Sequence, residues 1–304
     1  MRESEATMNP DLTEHNGRHR LRMHRRFDQS QQDVWPALVE PELLSRWYPA
    51  TVDELQPTVG GAIRFSYSTA GGEQMRGTGQ VTEYQEPEVL AFVELAMEDM
   101  PREGDTLLRF ELRTDGPGCI LLFSQEFDDR PAAAAYAAGW DACFDALGGV
   151  LSGASGGDYG ARNGAASGAT PGLARYEMYV HLFGLDQPAV SATEVAVERQ
   201  LMMRSPEQVW RLLAPGGMPA LEKLVPAGLG AGRVVEVVER ERITVALPDR
   251  SRVQWELTTG PGGARLLVSQ GPLHGTSTGT QWRDHVESVA EEIYALPDPA
   301  EQPS

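Results

Sequence analysis

Residues 107–127 read LLRFELRTDGPGCILLFSQEF, and this stretch decides the fold of the N-terminal half. Leu108, Phe110 and Leu112 alternate with charged residues, which is the period of a β-strand that buries one face. The Asp-Gly-Pro-Gly sequence that follows marks a turn, because glycine and proline together interrupt regular structure. Residues 119–127 form a second apolar run, so the whole stretch predicts a β-hairpin.

A long amphipathic helix is predicted directly after this hairpin. Between residues 136 and 151 the apolar residues recur every three or four positions, with Tyr136, Trp140, Phe144 and Leu147 among them. A curved antiparallel sheet buries the apolar stripe of a single helix only by wrapping around it. The gap left between sheet and helix is where such folds hold ligands.

The residues before the hairpin complete the pattern. Residues 21–27 predict a strand, and residues 31–38 and 41–47 predict two short helices, the second of which opens with a proline. Further strands are predicted around Ile63, Phe65 and Tyr67, over residues 79–84 and over residues 89–95. The order of strand, two helices, antiparallel meander and long helix predicts an α+β fold.

The same order of signals recurs in the C-terminal half, which indicates an internal repeat. The second copy is shortened, because twenty-nine residues separate Pro49 from Gly79 but only five separate Pro226 from Gly232. The missing segment is the one that carries Phe65 in the first copy. The matching pairs include Asp33-Val34-Trp35 with Gln208-Val209-Trp210, Gly79–Glu83 with Gly232–Glu236, Leu121–Gln125 with Leu266–Gln270, and Gly139-Trp140 with Gln281-Trp282.

These signals divide the chain into six segments. Glycine, alanine and serine make up most of the segment between the copies, a composition typical of a flexible tether. A short amphipathic helix follows it, which we expect to pack on the first copy, with docking on the second as the alternative. The segments are a disordered N-terminal arm (1–18), an intact first domain (19–151), a flexible linker (152–172), the short helix (173–187), a shortened second domain without one strand pair (192–296) and a disordered tail (297–304).

The N-terminal half resembles the activator-of-Hsp90-ATPase homologues, bacterial members of the START-like (SRPBCC, polyketide cyclase/dehydrase-related) superfamily. The resemblance covers about residues 20–151, and residues 176–184 resemble a C-terminal extension of some members. It implies the helix-grip fold, a curved antiparallel sheet around a long C-terminal helix, here present twice, and a binding function. The residues that carry it are Arg26-Phe27, Val34-Trp35, Pro41, Leu44, Trp47-Tyr48-Pro49, Gly79-Gln80-Val81, Glu86-Pro87 and Ala138-Gly139-Trp140.

Composition excludes several classes of partner. The net charge of -18 argues against nucleic acids and against anionic membrane surfaces, since both are bound by basic proteins. The two cysteines are too few for a disulfide framework, and no secretory signal or membrane span is evident, so we expect a cytoplasmic protein. A single lysine beside abundant arginine and alanine is typical of a GC-rich bacterial genome. No nucleotide-binding glycine loop or metal-ligand set occurs, and we expect neither cofactor nor metal.

Nine side chains of the first copy are predicted to line the gap between sheet and helix. Glu94 could act there as acid, base or polar anchor, although a water-facing position is the alternative. The amide of Gln125 either serves a ligand or makes an interior hydrogen bond. Trp35 and Trp140 have counterparts in the shortened copy and are predicted to be core residues. The nine candidates are Trp47, Tyr48, Phe65, Tyr67, Phe92, Glu94, Phe110, Phe123 and Gln125.

Three functions are compatible with this pattern. The first is a non-catalytic protein whose first copy binds a small hydrophobic molecule. The second is a co-chaperone or regulatory module in which the shortened copy docks a protein partner. The third is an enzyme of polyketide cyclase or aromatase type, which needs a proton-transfer group within reach of its substrate. We favour the first.

Overall fold

The computed structural model describes residues 9–68, 74–96, 104–153, 169–260, 262–273 and 279–296. The chain forms two compact units, residues 1–175 and residues 176–304. Each unit contains an antiparallel sheet with a long helix packed against it. Among the described helices, none is long and apolar enough to cross a membrane.

The first unit is built on an eight-stranded antiparallel sheet. Its strands follow the order β1-β2-β8-β7-β6-β5-β4-β3, so the chain runs as a meander from β3 to β8 and returns to β2. The predicted hairpin is confirmed as β7 and β8, with Asp115 opposite Gly118 at the turn. The strands are β1 (Asp11–His15), β2 (Arg18–Phe27), β3 (Thr51–Leu55), β4 (Ala62–Ser68), β5 (Gln74–Gln85), β6 (Val89–Glu94), β7 (Thr106–Asp115) and β8 (Gly118–Phe127).

Three helices complete this sheet as the sequence predicts. Helix α1 (Gln31–Val39) begins after Ser30, whose side chain accepts a hydrogen bond from the backbone N–H of Asp33. Helix α2 (Pro41–Leu44) follows at once, and helix α3 (Ala133–Leu151) closes the unit. The apolar stripe of α3 is buried against the sheet, which confirms the α+β helix-grip fold.

The N-terminal arm was predicted to be disordered over residues 1–18, and this is wrong for its second half. Residues Asp11–His15 form β1, which pairs antiparallel with β2 at the edge of the sheet. The turn is Asn16-Gly17, with φ angles of 53° and 77°. Asn-Gly is the strongest short signal for a hairpin, because both residues adopt positive φ readily. The polar composition of the arm concealed this signal. Residues 1–8 lie outside the described residues.

The second unit has the same order of elements on a smaller sheet. Its six strands follow the order β11-β12-β13-β14-β10-β9. A capping box between Ser205 and Gln208 begins its first helix after β10. The elements are β9 (Ala189–Val190), β10 (Val195–Met202), α5 (Pro206–Leu213), α6 (Leu221–Leu224), β11 (Arg233–Val238), β12 (Arg242–Ala246), β13 (Arg252–Gly260), β14 (Gly263–Gly271) and α7 (Gly279–Tyr294), preceded by α4 (Ala169–Leu182).

The two sheets differ by two strands at one edge. In the first unit β4 and β3 continue the sheet beyond β5, whereas in the second unit the corresponding strand β11 is itself the edge. Both strands carry a bulge at the same place, between Val81 and Glu83 in β5 and between Val234 and Glu236 in β11. A shared irregularity of this kind indicates that the two strands occupy equivalent positions.

The short helix after the linker does not pack on the first copy as expected. From Tyr176 onwards α4 belongs to the second unit, where Tyr176, Tyr179 and Val180 are buried. The Tyr176 hydroxyl donates to the carbonyl of Gln200 at 2.8 Å. An amphipathic stripe shows that a helix packs but not on which surface. The linker core, residues 154–168, and the tail, residues 297–304, lie outside the described residues.

A buried arginine fixes α4 to the second unit. The Arg199 side chain on β10 is 1% exposed, and its Nε donates to Glu287 of α7 at 2.8 Å. It also pairs with Glu177 of α4 and donates to the Gln200 carbonyl at 2.9 Å. A buried charge of this kind is tolerated only when it is paired and hydrogen-bonded.

We predict that Arg199→Met destabilises the second unit by about 3–5 kcal/mol, because the carboxylates of Glu177 and Glu287 lose their cation. Hydrogen exchange of residues 176–202 measures the effect. Arg211→Met is the matched control, since Arg211 is 71% exposed and pairs only with Glu207 among the described ion pairs. We expect it to cost about 0.5 kcal/mol or less. A loss below about 1 kcal/mol for Arg199→Met would contradict the clamp.

The imidazole of His285 is a second buried group in this unit. Its ring lies edge-on to Trp255 and Trp282, and its Nε2 is 2.9 Å from the Lys223 carbonyl. Burial lowers the pKa of His285, and the nearby charge of Lys223 lowers it further. The neutral ring is therefore the form that the fold accommodates.

We predict that the second unit loses stability as the pH falls below about 6.5, the ordinary pKa of histidine. The pKa of His285 is lower in the folded than in the unfolded chain, so the unfolded chain binds the proton first and folding is penalised on the acid side. Hydrogen exchange of β13 and α7 at pH 7.5 and 5.5 measures this loss, and His285→Gln is expected to reduce it. His24→Gln is the control, because His24 also has a lowered pKa but lies in the first unit. An unchanged pH dependence in His285→Gln would refute the assignment.

Candidate functional site

All nine predicted side chains lie together on the inner face of the first sheet or on the segment that faces it. Alternation along β6 places Glu94 on the same face as Phe92, and the register places Phe92 opposite Leu108 of β7. Phe110 lies opposite Phe123 on the same face. Trp47 and Tyr48 follow α2 and are fully buried. Glu94 therefore faces inward, and the water-facing alternative is wrong.

The middle of this face is filled by aromatic rings that contact one another. The ring centroids of Phe123 and Trp140 are 4.5 Å apart, and those of Phe110 and Phe123 are 5.1 Å apart. Phe144 lies 5.4 Å from Phe123, and Trp47 lies 5.9 Å from Phe110. Rings at these separations pack as a core. The sheet and α3 thus meet directly here.

Two of the candidate residues have structural roles. The indole N–H of Trp47 donates to the carbonyl of Ala37 in α1 at 2.8 Å, so Trp47 fastens α1 to the segment after α2. The amide oxygen of Gln125 accepts from the indole N–H of Trp140 at 2.7 Å. The interior hydrogen bond is therefore the correct reading of Gln125.

The second unit repeats the tryptophan-to-glutamine bond. The indole N–H of Trp282 on α7 donates to the amide oxygen of Gln270 on β14, again at 2.7 Å. Since the shortened unit retains this pair, its role is to fix the closing helix to the sheet. Ligand contact is not needed to explain it.

A polar cluster lies at the end of the inner face, where Tyr48, Tyr67 and Glu94 meet. The Tyr48 hydroxyl donates a short hydrogen bond to Glu94 Oε1, and the Tyr67 hydroxyl lies 3.5 Å from the same oxygen. Tyr48 is buried, whereas Tyr67 and Glu94 are half-buried. This Tyr48–Glu94–Tyr67 cluster is the candidate functional site.

The environment of Tyr48 keeps its phenol protonated. Burial raises the pKa of the Tyr48 phenol well above its ordinary value, and the charge of Glu94 raises it further. The ring of Tyr48 stacks on Phe65 with centroids 5.5 Å apart and lies 6.2 Å from Phe92. The cluster therefore combines a hydrogen-bond donor and an acceptor with an apolar wall.

Gly77 is a residue of this site that the sequence analysis missed. The register places Gly77 opposite Phe65 and Gly79 opposite Ile63, so two successive inward positions of β5 have no side chain. A Cβ atom added at Gly77 would lie only 2.9 Å from the ring of Tyr67. Gly77 thus gives Tyr67 room to lie toward the cluster. The Gly-Thr-Gly sequence at the strand period was the available signal.

The position of Glu94 is apolar in the second unit. Val245 on β12 occupies the position of Phe92, since each lies opposite the valine that precedes the bulge of the neighbouring strand. Leu247, two residues later, therefore corresponds to Glu94. It is buried in the hydrophobic core of the second unit.

The position of Tyr48 is apolar there as well. Val225 precedes Pro226 as Tyr48 precedes Pro49. The side chains of Val225 and Leu247 lie 3.3 and 3.4 Å from a Cβ added at Gly232, so they come together as Tyr48 and Glu94 do. The second unit folds without the polar cluster, which indicates that the fold does not require it.

Metal-ligating and thiol chemistry contribute little to the described part of the chain. No group of three or more His, Cys, Asp or Glu residues within the described ranges is arranged to hold a metal ion. Cys119 and Cys143 are free and buried. Both pack as small core side chains.

A family model matches the unit that carries the cluster. Residues 28–152 match the model described as "Activator of Hsp90 ATPase homolog 1-like protein". The matched segment contains all nine candidate residues, and the second unit lies outside it. A search of the curated proteins found no significant match.

Solved structures similar to this chain come from several bacteria. The solution structure of CalU16 from Micromonospora echinospora is 16% identical, with a TM-score of 0.46, and the match covers 59% of this chain and 97% of that one. A protein from Arthrobacter aurescens is 21% identical (TM-score 0.42; 48% and 92% covered). A protein from Chromobacterium violaceum is 22% identical (TM-score 0.40; 43% and 96% covered).

We predict that Tyr48→Phe lowers the free energy of unfolding of the first unit by about 1–3 kcal/mol, because Glu94 loses its buried donor. Urea unfolding followed by tryptophan fluorescence measures it. Tyr84→Phe is the matched control, since its hydroxyl makes only a long 3.4 Å contact to Glu86 near the surface. The control should change stability by about 0.5 kcal/mol or less. Equal effects of the two changes would argue against a buried hydrogen bond at Glu94.

Proposed function

We propose that the first unit binds a small, largely apolar molecule at the Tyr48–Glu94–Tyr67 cluster, and that this role is non-catalytic. The observation that carries the proposal is the buried tyrosine–glutamate pair, which the second unit replaces with Val225 and Leu247. A polar pair in an apolar interior is costly to maintain. Its presence in one unit only is therefore better explained by a ligand than by folding.

The place of binding follows from where the inner face is filled. Around Phe110, Phe123 and Trp140 the rings contact one another and leave the ligand no place. Toward Tyr67 and Glu94 the side chains are half-buried, so this end is reachable from solvent. The bound molecule is accordingly small, and it enters between β4 and β6 at their ends.

The second unit, in this proposal, is a shortened duplicate that has lost the binding function. The common bulge and the common Trp–Gln hydrogen bond support duplication, and the absence of two strands supports the loss. It retains the packing residues of the helix-grip core. A tandem pair thus divides into one binding copy and one structural copy.

A role in protein interaction is the second candidate, favoured by the family description that matches residues 28–152. Such a protein would stimulate the ATPase of an Hsp90-type chaperone. An ATPase assay with a purified bacterial Hsp90, with and without this protein, tests the candidate. A rise in turnover that survives Glu94→Gln would favour it over ligand binding.

A cyclase-like enzyme is a third candidate, because Glu94 faces inward. A protonated Tyr48 is a donor and not a base at neutral pH, so any proton abstraction would depend on Glu94 alone. Binding needs only the donor, the acceptor and the apolar wall that the cluster provides. The binding role is therefore the simpler use of this geometry.

We predict saturable binding of the neutral apolar probe N-phenyl-1-naphthylamine, with a Kd of about 100 μM or tighter, measured by its fluorescence increase. Gly77→Leu should weaken it at least about tenfold, since a side chain there displaces Tyr67 into the site. Gly139→Leu is the matched control, because nothing lies near a Cβ at Gly139, and it should leave the Kd within about twofold.

Two further measurements keep this test decisive. Thermal melting of both glycine variants establishes that they are folded, and Tyr67→Trp fills the same space without changing the backbone. If the wild-type protein shows no saturable binding, or if all three variants bind as it does, the proposed site is wrong.

A further inference from the structure

We propose that the cluster selects neutral ring compounds that carry a hydroxyl or N–H donor, and that Glu94 is the residue that sets this preference. This inference rests on the proposed binding function and goes further by naming the chemical class of the ligand. It follows from what the cluster offers to an incoming molecule, which can be taken in three steps.

The first step is that the polar end of the site is an acceptor. The Tyr48 hydroxyl points its proton at Glu94, and the Tyr67 hydroxyl lies near the same oxygen. Both phenols are thereby oriented around a carboxylate, which in its ionised form can only accept hydrogen bonds. A ligand that brings a donor satisfies this carboxylate, while a ligand without one leaves it in contact with apolar atoms.

The second step is that an incoming donor has a contact it can replace. At 3.5 Å the distance from the Tyr67 hydroxyl to Glu94 is at the upper limit for a hydrogen bond, whereas the Tyr48 contact is short. Tyr67 is also the half-buried member of the two tyrosines. A ligand hydroxyl can take the place of the Tyr67 contact and leave the buried Tyr48 pair unchanged.

The third step is the shape of the apolar part. Tyr67 and Phe65 have their ring centroids 6.2 Å apart, Phe65 lies 6.0 Å from Phe92, and Tyr48 stacks on Phe65. Such a wall of ring faces and edges favours a flat ring system as the body of the ligand.

Charge narrows the class further. A carboxylate ligand would bring a second negative charge beside Glu94 in an apolar environment, which raises its cost of binding. An ammonium ligand would have to give up its hydration to enter between the rings. A neutral donor avoids both penalties.

Three naphthalene probes of the same size test the inference on the wild-type protein, with no mutation required. 1-Naphthol carries a donor, 1-methoxynaphthalene lacks one, and 1-naphthoate is an anion at neutral pH. Isothermal titration at pH 7 should give 1-naphthol at least about tenfold tighter than the methyl ether, the effect of one hydrogen bond to a charged acceptor. It should give 1-naphthoate as the weakest of the three.

Glu94→Gln then assigns the preference to its residue. With a neutral amide in place of the carboxylate, the ratio between 1-naphthol and the methyl ether should fall to about threefold or less, and 1-naphthoate should gain affinity. Glu88→Gln is the matched control, because it removes the same charge from an exposed turn of the same unit and should leave all three ratios unchanged.

The outcomes separate this inference from the function on which it rests. If the wild-type protein binds neither 1-naphthol nor the methyl ether, the binding function itself fails and the preference fails with it. If it binds both equally well, or binds 1-naphthoate as tightly as 1-naphthol, apolar binding stands and the donor preference is wrong. An unchanged ratio in a folded Glu94→Gln protein would remove Glu94 as the selecting residue.

Discussion

The contact between the last helix and the sheet is the constraint on which each unit depends. In both units it is fixed by an indole N–H that donates to a glutamine amide, Trp140 to Gln125 and Trp282 to Gln270. Both partners are buried, so neither can be satisfied by water when the helix moves away. The bond sets the position of the helix along the sheet, and the surrounding apolar residues pack accordingly. Everything on the inner face is arranged relative to this point.

The first unit adds a second buried polar contact at the other end of its inner face. There the Tyr48 phenol binds a half-buried carboxylate, and no packing role explains it, because the second unit packs Val225 and Leu247 at the same place. A protein with an internal repeat thus contains its own comparison. Residues common to both units explain the fold, and polar residues found in one alone point to the site. Trp47 and Gln125 move to the first group on this criterion.

The second unit shows how much of a helix-grip fold can be removed without loss of its core. Two strands are absent beside β11, yet the closing helix is still buried through Trp282, Val286 and Ile293. The buried Arg199, with its carboxylate partners, attaches α4 to this reduced sheet. A charged clamp of this kind has no counterpart in the binding cluster of the first unit. It holds helices together, and its carboxylates are already committed to the guanidinium.

The sequence by itself determined the class of fold, the repeated order of elements and the nine residues that face inward, because strand and helix periods are local properties. The alternation in β7 and the apolar stripe of α3 suffice for that. Local patterns also contained two signals that were missed, Asn16-Gly17 for β1 and the inward glycines of β5. Only the tertiary structure decided that Gln125 bonds to Trp140, that Glu94 meets Tyr48, and that α4 belongs to the second unit. These contacts join residues far apart in the chain, and which buried polar group finds which partner depends on distances that no local pattern encodes.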